Sequence, residues 1–295
     1  MRISKYIEMD AMNEFETFVN SMLTKSETTQ KNYKSKYLKL VSLFKGELKD
    51  VSQEKVIEVL KDNFPNINSL QANLNIVVVV RKLYNMPTNE LESFRGNNIQ
   101  ELKTKIVEKN QVLVETLPEY EKLLDHLEEL YARGEWRAYV VNYLLIHCQV
   151  RNQDLVCDIV TKVTDAKDSN KNFLILQLKL KTIRFIRNVY KTAKIVKPNG
   201  DDAGYGQLVI NLKDTKLTNA VKQLVANGET QLIPNTTTLA YTIKKYTYNG
   251  LGEGEIFKIV VNHFRNDPDK LQEIARNRGT ALQTILSFYD IEKKA

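Results

Sequence analysis

Between Asn172 and Val189 the hydrophobic period of this chain changes. The stretch NFLILQLKLK alternates apolar and polar residues, and IRFIRNV continues in a related way. A period of two fits a strand and not a helix. On both sides of this region apolar residues recur every three or four positions, so a chain that is helical at its flanks has to form a small sheet in its middle. A turn-rich stretch, KPNGDDAGYG, separates these strands from a further one in GQLVINL. The expected fold class is therefore mainly α with a small antiparallel β-sheet, an α+β arrangement.

The flanking helices are read from their periodicity and end signals. In TKSETTQKNYKSKYLKLVSLFKGEL the apolar positions Tyr33, Tyr37, Leu40, Val41 and Phe44 form one stripe, with Lys31, Lys34, Lys36 and Lys39 around the other sides. A second helix covers Gln53 to Leu60. NSLQANLNIVVVVRKLYNM is ambiguous, because IVVVV has strand propensity while Leu70, Leu74, Val77, Val78 and Leu83 keep a helical period. Helix is the reading adopted. A polar stretch in KNQVLVETLPEYEK, taken as extended, marks a boundary, with Thr116 as a helix cap and Pro118 in the first turn. At 295 residues two domains are expected: 1–110, all helical, and 111–295, which holds the sheet. In the second, WRAYVVNYLLIHCQV reads as a helix buried on most sides. Near the end, DPDKLQEIARNRG has Asp267 to cap a helix, Pro268 for its first turn and Gly279 to stop it.

Charge narrows the partner. From Ser169 to Gly200 there are eight basic residues and no acid. A solvated hairpin face would explain this bias. So would a surface that follows a phosphate backbone, because neutralising phosphates releases condensed counterions. Lys179, Lys181, Arg184, Arg187, Lys194 and Lys197 of this segment, with Lys31, Lys34, Lys36 and Lys39, are the candidate nucleic-acid-binding residues, and the net charge of +7 suits a polyanion. The three histidines are scattered and there is no glycine-rich phosphate loop, so neither a metal site nor a nucleotide cofactor is expected. Only Cys148 and Cys157 are present, too few for a disulfide scaffold. The expectation is an intracellular, reducing compartment, with no targeting signal and no membrane span.

Directly after the apolar helix, VRNQDL, Val150 to Leu155, resembles the LRxSEL motif of the tyrosine recombinases, the phage integrase family. The resemblance orders the rest of the chain. It implies that Arg151 is the first catalytic arginine, that Asp154 stands in for the acid supporting the local helix, and that the basic hairpin supplies a catalytic lysine, Lys191 in NVYKTAK or else Lys194. It implies that Tyr289 is the nucleophile. Gly279 and Thr280 occupy the place of a Gly-His pair, with Thr280 nine residues before the tyrosine. TTQKNYKSKYLKLVSLF resembles the first helix of the family's SAM-like, DNA-clamping core-binding domain, so 1–110 would be that clamp and 111–295 the catalytic domain.

The implied function is cleavage and rejoining of double-stranded DNA without metal or cofactor, with self-association on DNA. The tyrosine oxygen attacks a backbone phosphate to give a 3'-phosphotyrosine, arginines hold the charge that builds on the non-bridging oxygens, and a lysine protonates the leaving 5'-oxygen. Two positions depart from the pattern. Counting back from Tyr289 to the family's second arginine reaches Phe257, and Thr280 replaces a histidine. Lys258, Arg265 and Arg278 are the cations near enough in sequence to substitute. Two alternatives follow: a catalytically degenerate recombinase fold kept for binding or organising DNA, and a helical protein-interaction module with no DNA affinity.

Overall fold

A computed structural model of the chain describes residues 14–23, 25, 27–193 and 204–290. Lys194 and Lys197, with most of KPNGDDAGYG, lie outside the described residues. The chain divides into two compact units, Met1–Glu108 and Lys109–Ala295. It is mainly helical with one small sheet. Among the described residues no helix is long and apolar enough to cross a membrane.

The first unit contains α1 (residues 14–20), α2 (Glu27–Phe44), α3 (Gln53–Asn63), α4 (Ile67–Leu83) and the start of α5 (Asn89–Thr116). Ser52 caps α3 through the Lys55 amide, and Asn66 caps α4 through the amides of Asn68 and Ser69. The IVVVV run is helical. Ile76, Val77, Val78 and Val80 are all buried there, so packing on several sides of α4 outweighs the strand propensity of β-branched residues. Residues 109–116, expected to be extended, instead form the last turns of α5. No proline or glycine interrupts that helix after Gly96. It stops where Pro118 disfavours helical backbone at Leu117. Thr116 is accordingly the last residue of α5 and donates back to the Val112 carbonyl (3.3 Å), while Glu119 occupies the N-cap of the next helix.

The second unit runs α6 (Tyr120–Ala132), α7 (Trp136–His147), β1 (Cys157–Val160), β2 (Asn172–Gln177), β3 (Thr182–Arg187), β4 (Leu208–Leu212), α8 (Thr215–Ala226), α9 (Leu239–Lys244), α10 (Glu253–His263), α11 (Pro268–Arg278) and α12 (Leu282–Phe288). Helix α7 is its spine, with Tyr139, Val140, Val141, Leu144, Leu145 and Ile146 buried. The sheet order is β1-β2-β3-β4. Strands β2, β3 and β4 pair antiparallel as expected, but β1 pairs parallel with β2, which makes the sheet mixed. Leu174, Leu176, Ile183 and Phe185 face the helices, and Phe173, Ile175 and Ile186 form a smaller cluster on the opposite side. The end signals of α11 hold: Asp267 accepts from the Lys270 amide, Pro268 opens the helix and Gly279 ends it at φ 61°.

Candidate functional site

Four segments of the second unit converge: the turn after α7, the end of β3 with the loop that follows, the start of α10 and the end of α11. Arg151 is the N-cap of a 3-10 turn over Asn152–Leu155, and Asp154 accepts the Arg151 amide (2.9 Å), closing the turn on itself. Asp154 also pairs with Arg187 at 3.0 Å, and both side chains are 0% exposed. Burial pushes the Asp154 carboxyl above its usual range, against the pull of Arg187.

Arg187 therefore does not belong to a DNA-facing surface, where the charge run had put it. It donates to the Asn277 carbonyl and lies 4.8 Å over the Tyr190 ring. The reason is strand parity: Ile183, Phe185 and Arg187 share the face of β3 that points to the helices. The other described members of the run are dispersed. Lys179 and Lys181 are exposed in the turn between β2 and β3, at the opposite end of β3 from Lys191, and Arg184 is half-buried. On α2, Lys31 and Lys39 are exposed and Lys34 and Lys36 partly so, with Lys39 4.7 Å over the Phe64 ring.

A second pair joins the buried Arg278 to the half-buried Glu253. Arg278 donates to the carbonyls of Gln149 (3.1 Å) and Val150 (2.7 Å), and the other oxygen of Glu253 accepts the Asn152 amide at 2.6 Å. Arg278 and Glu253 thus brace the turn that carries Arg151 from both sides. Arg151 donates to the Arg278 carbonyl at 2.8 Å. Its guanidinium is half-buried, and burial first, then the charge of Arg278, pulls its pKa down.

Phe257 is buried in α10, with the Arg278 guanidinium 4.4 Å from its ring centre. The edge-to-face partner of Phe257 is Tyr289, at 4.7 Å and 82°. Tyr289 is half-buried at the C-cap of α12. Lys191 is exposed in the turn after β3, between Tyr190 and Thr192. Those neighbours grip the end of α11: Thr192 donates to the Gly279 carbonyl, and a Cβ on Gly279 would stand 2.7 Å from the Tyr190 ring. Gly279 is thus fixed both by its left-handed backbone and by this close approach.

Of the cations considered as substitutes, Arg278 reaches Phe257. Lys258 turns to Asn110 on α5 (2.6 Å), and Arg265 lies 3.7 Å from Asp290, the residue after Tyr289. Thr280 is half-buried, and its amide donates to the Ala275 carbonyl. Sequence reasoning missed Glu253 and Gln149. Glu253 carries no motif signal, and Gln149 contributes through a backbone carbonyl.

No family model and no curated protein sequence matches this chain. Among solved structures it is similar to a crystal structure of XerA recombinase, at 13% identity and a TM-score of 0.35, over 94% of this chain and 93% of that one.

Proposed function

We propose that this protein binds double-stranded DNA, and that its Arg151–Tyr289 neighbourhood is a tyrosine-recombinase-type site in which strand cleavage has been lost. The observation that carries this reading is the packing of Phe257 on Tyr289. The guanidinium over that ring belongs to Arg278, whose two terminal nitrogens are committed to Glu253 and two carbonyls and whose Nε is buried without a hydrogen-bond partner among the described residues. An attacked phosphodiester needs preorganised positive charge, and removing one such donor typically costs about 3 kcal/mol of barrier. Here Arg151 is left to supply it with Lys191. DNA affinity rests on the lysines of α2 and the exposed cations of the sheet turns, and it falls steeply with salt as counterions are taken up again.

Strand cleavage and rejoining through a 3'-phosphotyrosine remains the second reading, favoured by the half-buried Arg151 guanidinium and by Tyr289 at the end of α12. A nicked suicide duplex separates the two. The expected outcome is salt-sensitive binding in fluorescence anisotropy with no covalent adduct from the wild-type chain. An adduct that Tyr289→Phe abolishes would establish the second reading. Absence of binding even at about 50 mM salt defeats both. Phe257→Arg with Thr280→His tests for a decayed site: an adduct gained by that double variant and lost again with Tyr289→Phe identifies one.

A further inference from the structure

The first unit carries a groove that DNA binding leaves unused. Two cavities, of about 390 and about 430 Å3, share Lys61 as a lining residue. The first is floored by Ile67, Leu70 and Phe94 and edged by Asn98 and Glu101. The second is ringed by Glu54, Glu58, Asp62 and Glu90 around Ile57. Five carboxylates and one lysine line these cavities in a chain whose net charge is +7, and Glu101 is paired with Lys105 at 2.7 Å. Glu58 is engaged by Lys55 at 2.9 Å. A nucleic acid backbone is repelled by such a surface. Among the described residues no three acids, histidines or cysteines are grouped so as to hold a metal ion.

Asn98 adds an independent observation. It is 6% exposed, lines the first cavity, and its Nδ2 has no hydrogen-bond partner among the described residues. A buried amide donor left unpaired costs stability, so an acceptor delivered from outside would relieve it. The Phe94 ring is already a seat for positive charge, with Lys61 Nζ 5.1 Å from its centre.

We propose that this groove binds a lysine- or arginine-rich segment of a protein partner. The cations of that segment pair with the carboxylates, one of them takes the place of Lys61 over Phe94, and a backbone carbonyl accepts from Asn98. The apolar floor takes the intervening side chains. This inference does not rest on DNA binding.

The probe is a fluorescein-labelled peptide of roughly 12 residues, alternating arginine and leucine, titrated with the full chain and followed by anisotropy. Glu54→Lys with Glu90→Lys should weaken it by about tenfold or more, through loss of charge complementarity. Glu119→Lys with Glu129→Lys makes the same change of net charge at exposed positions of the second unit and should leave affinity within about twofold. Asn98→Leu should weaken the peptide several-fold while keeping or raising the melting temperature, since it removes an unpaired buried amide; a merely structural role would move both together. Equal loss in the two charge-reversed variants overturns the proposal, as does absence of peptide binding or an Asn98→Leu chain of unchanged affinity. Sedimentation showing that the groove variants dissolve a dimer while peptide affinity stays constant overturns it in favour of a second copy of this chain.

Discussion

Asp154 and Arg187 are fully buried at 3.0 Å, and that burial decides what a substitution at either does. Removing one partner leaves a charge in a medium that cannot solvate it, whereas removing both leaves only a packing problem. Asp154→Ala is expected to lower unfolding free energy by about 3–5 kcal/mol in urea titrations. Asp154→Leu combined with Arg187→Met should lie within about 1–2 kcal/mol of the wild type. A single variant costing under about 1 kcal/mol would show the pair to be hydrated. Arg187 also marks what a charge count misses. Its place in a run without acids suggested a surface, while its parity with Ile183 and Phe185 put it inside. Both signals are in the sequence, and the parity was the one tied to geometry.

At the scale of elements, α7 presents Tyr139, Tyr143 and His147 at four-residue spacing, with ring centres 6.1 Å and 4.6 Å apart in turn. Burial holds the His147 imidazole below its ordinary value of 6.5, with Lys270 acting in the same direction and Asp214 against it. Above pH 6.5 the ring is neutral in folded and unfolded chains, and its contribution to stability is complete. As pH falls below that value the unfolded chain takes up the proton first, so stability declines until the lowered folded pKa is passed. Melting temperature followed from pH 7 to about pH 5 should therefore fall, and His147→Gln should flatten the profile. A variant with the wild-type slope would assign the acid sensitivity elsewhere. The elements themselves were legible to different degrees. Helices α2, α3, α7 and α11 and strands β2, β3 and β4 announce themselves by period and end signals, whereas the IVVVV run left α4 ambiguous. Strand β1 does not, because its four residues are too few to establish a period and its parallel partner is supplied by β2.

At the scale of the whole molecule, Cys148 and Cys157 sit in the core of the second unit, 0% and 2% exposed. Burial pushes the Cys148 thiol up to about 12 and raises the Cys157 thiol as well. Neither should react with an alkylating reagent in native buffer faster than that core opens, and both should react at once in denaturant, as counted by mass spectrometry. Rapid native labelling of either would mean local opening near the turn that carries Arg151. The sequence by itself determined the class of fold, the helical character of α2 and α3, the caps of α11 and the order of the candidate site residues, because periodicity and end chemistry act over a few neighbouring positions. Tertiary structure alone decided which partner each buried charge meets. Arg187 and Arg278 lie in like surroundings of sequence to the exposed lysines, yet they are neutralised by Asp154 and Glu253, which approach from segments 33 and 25 residues away along the chain. Whether a guanidinium meets a phosphate or a carboxylate depends on which distant segment packs against it, and no local pattern encodes that meeting.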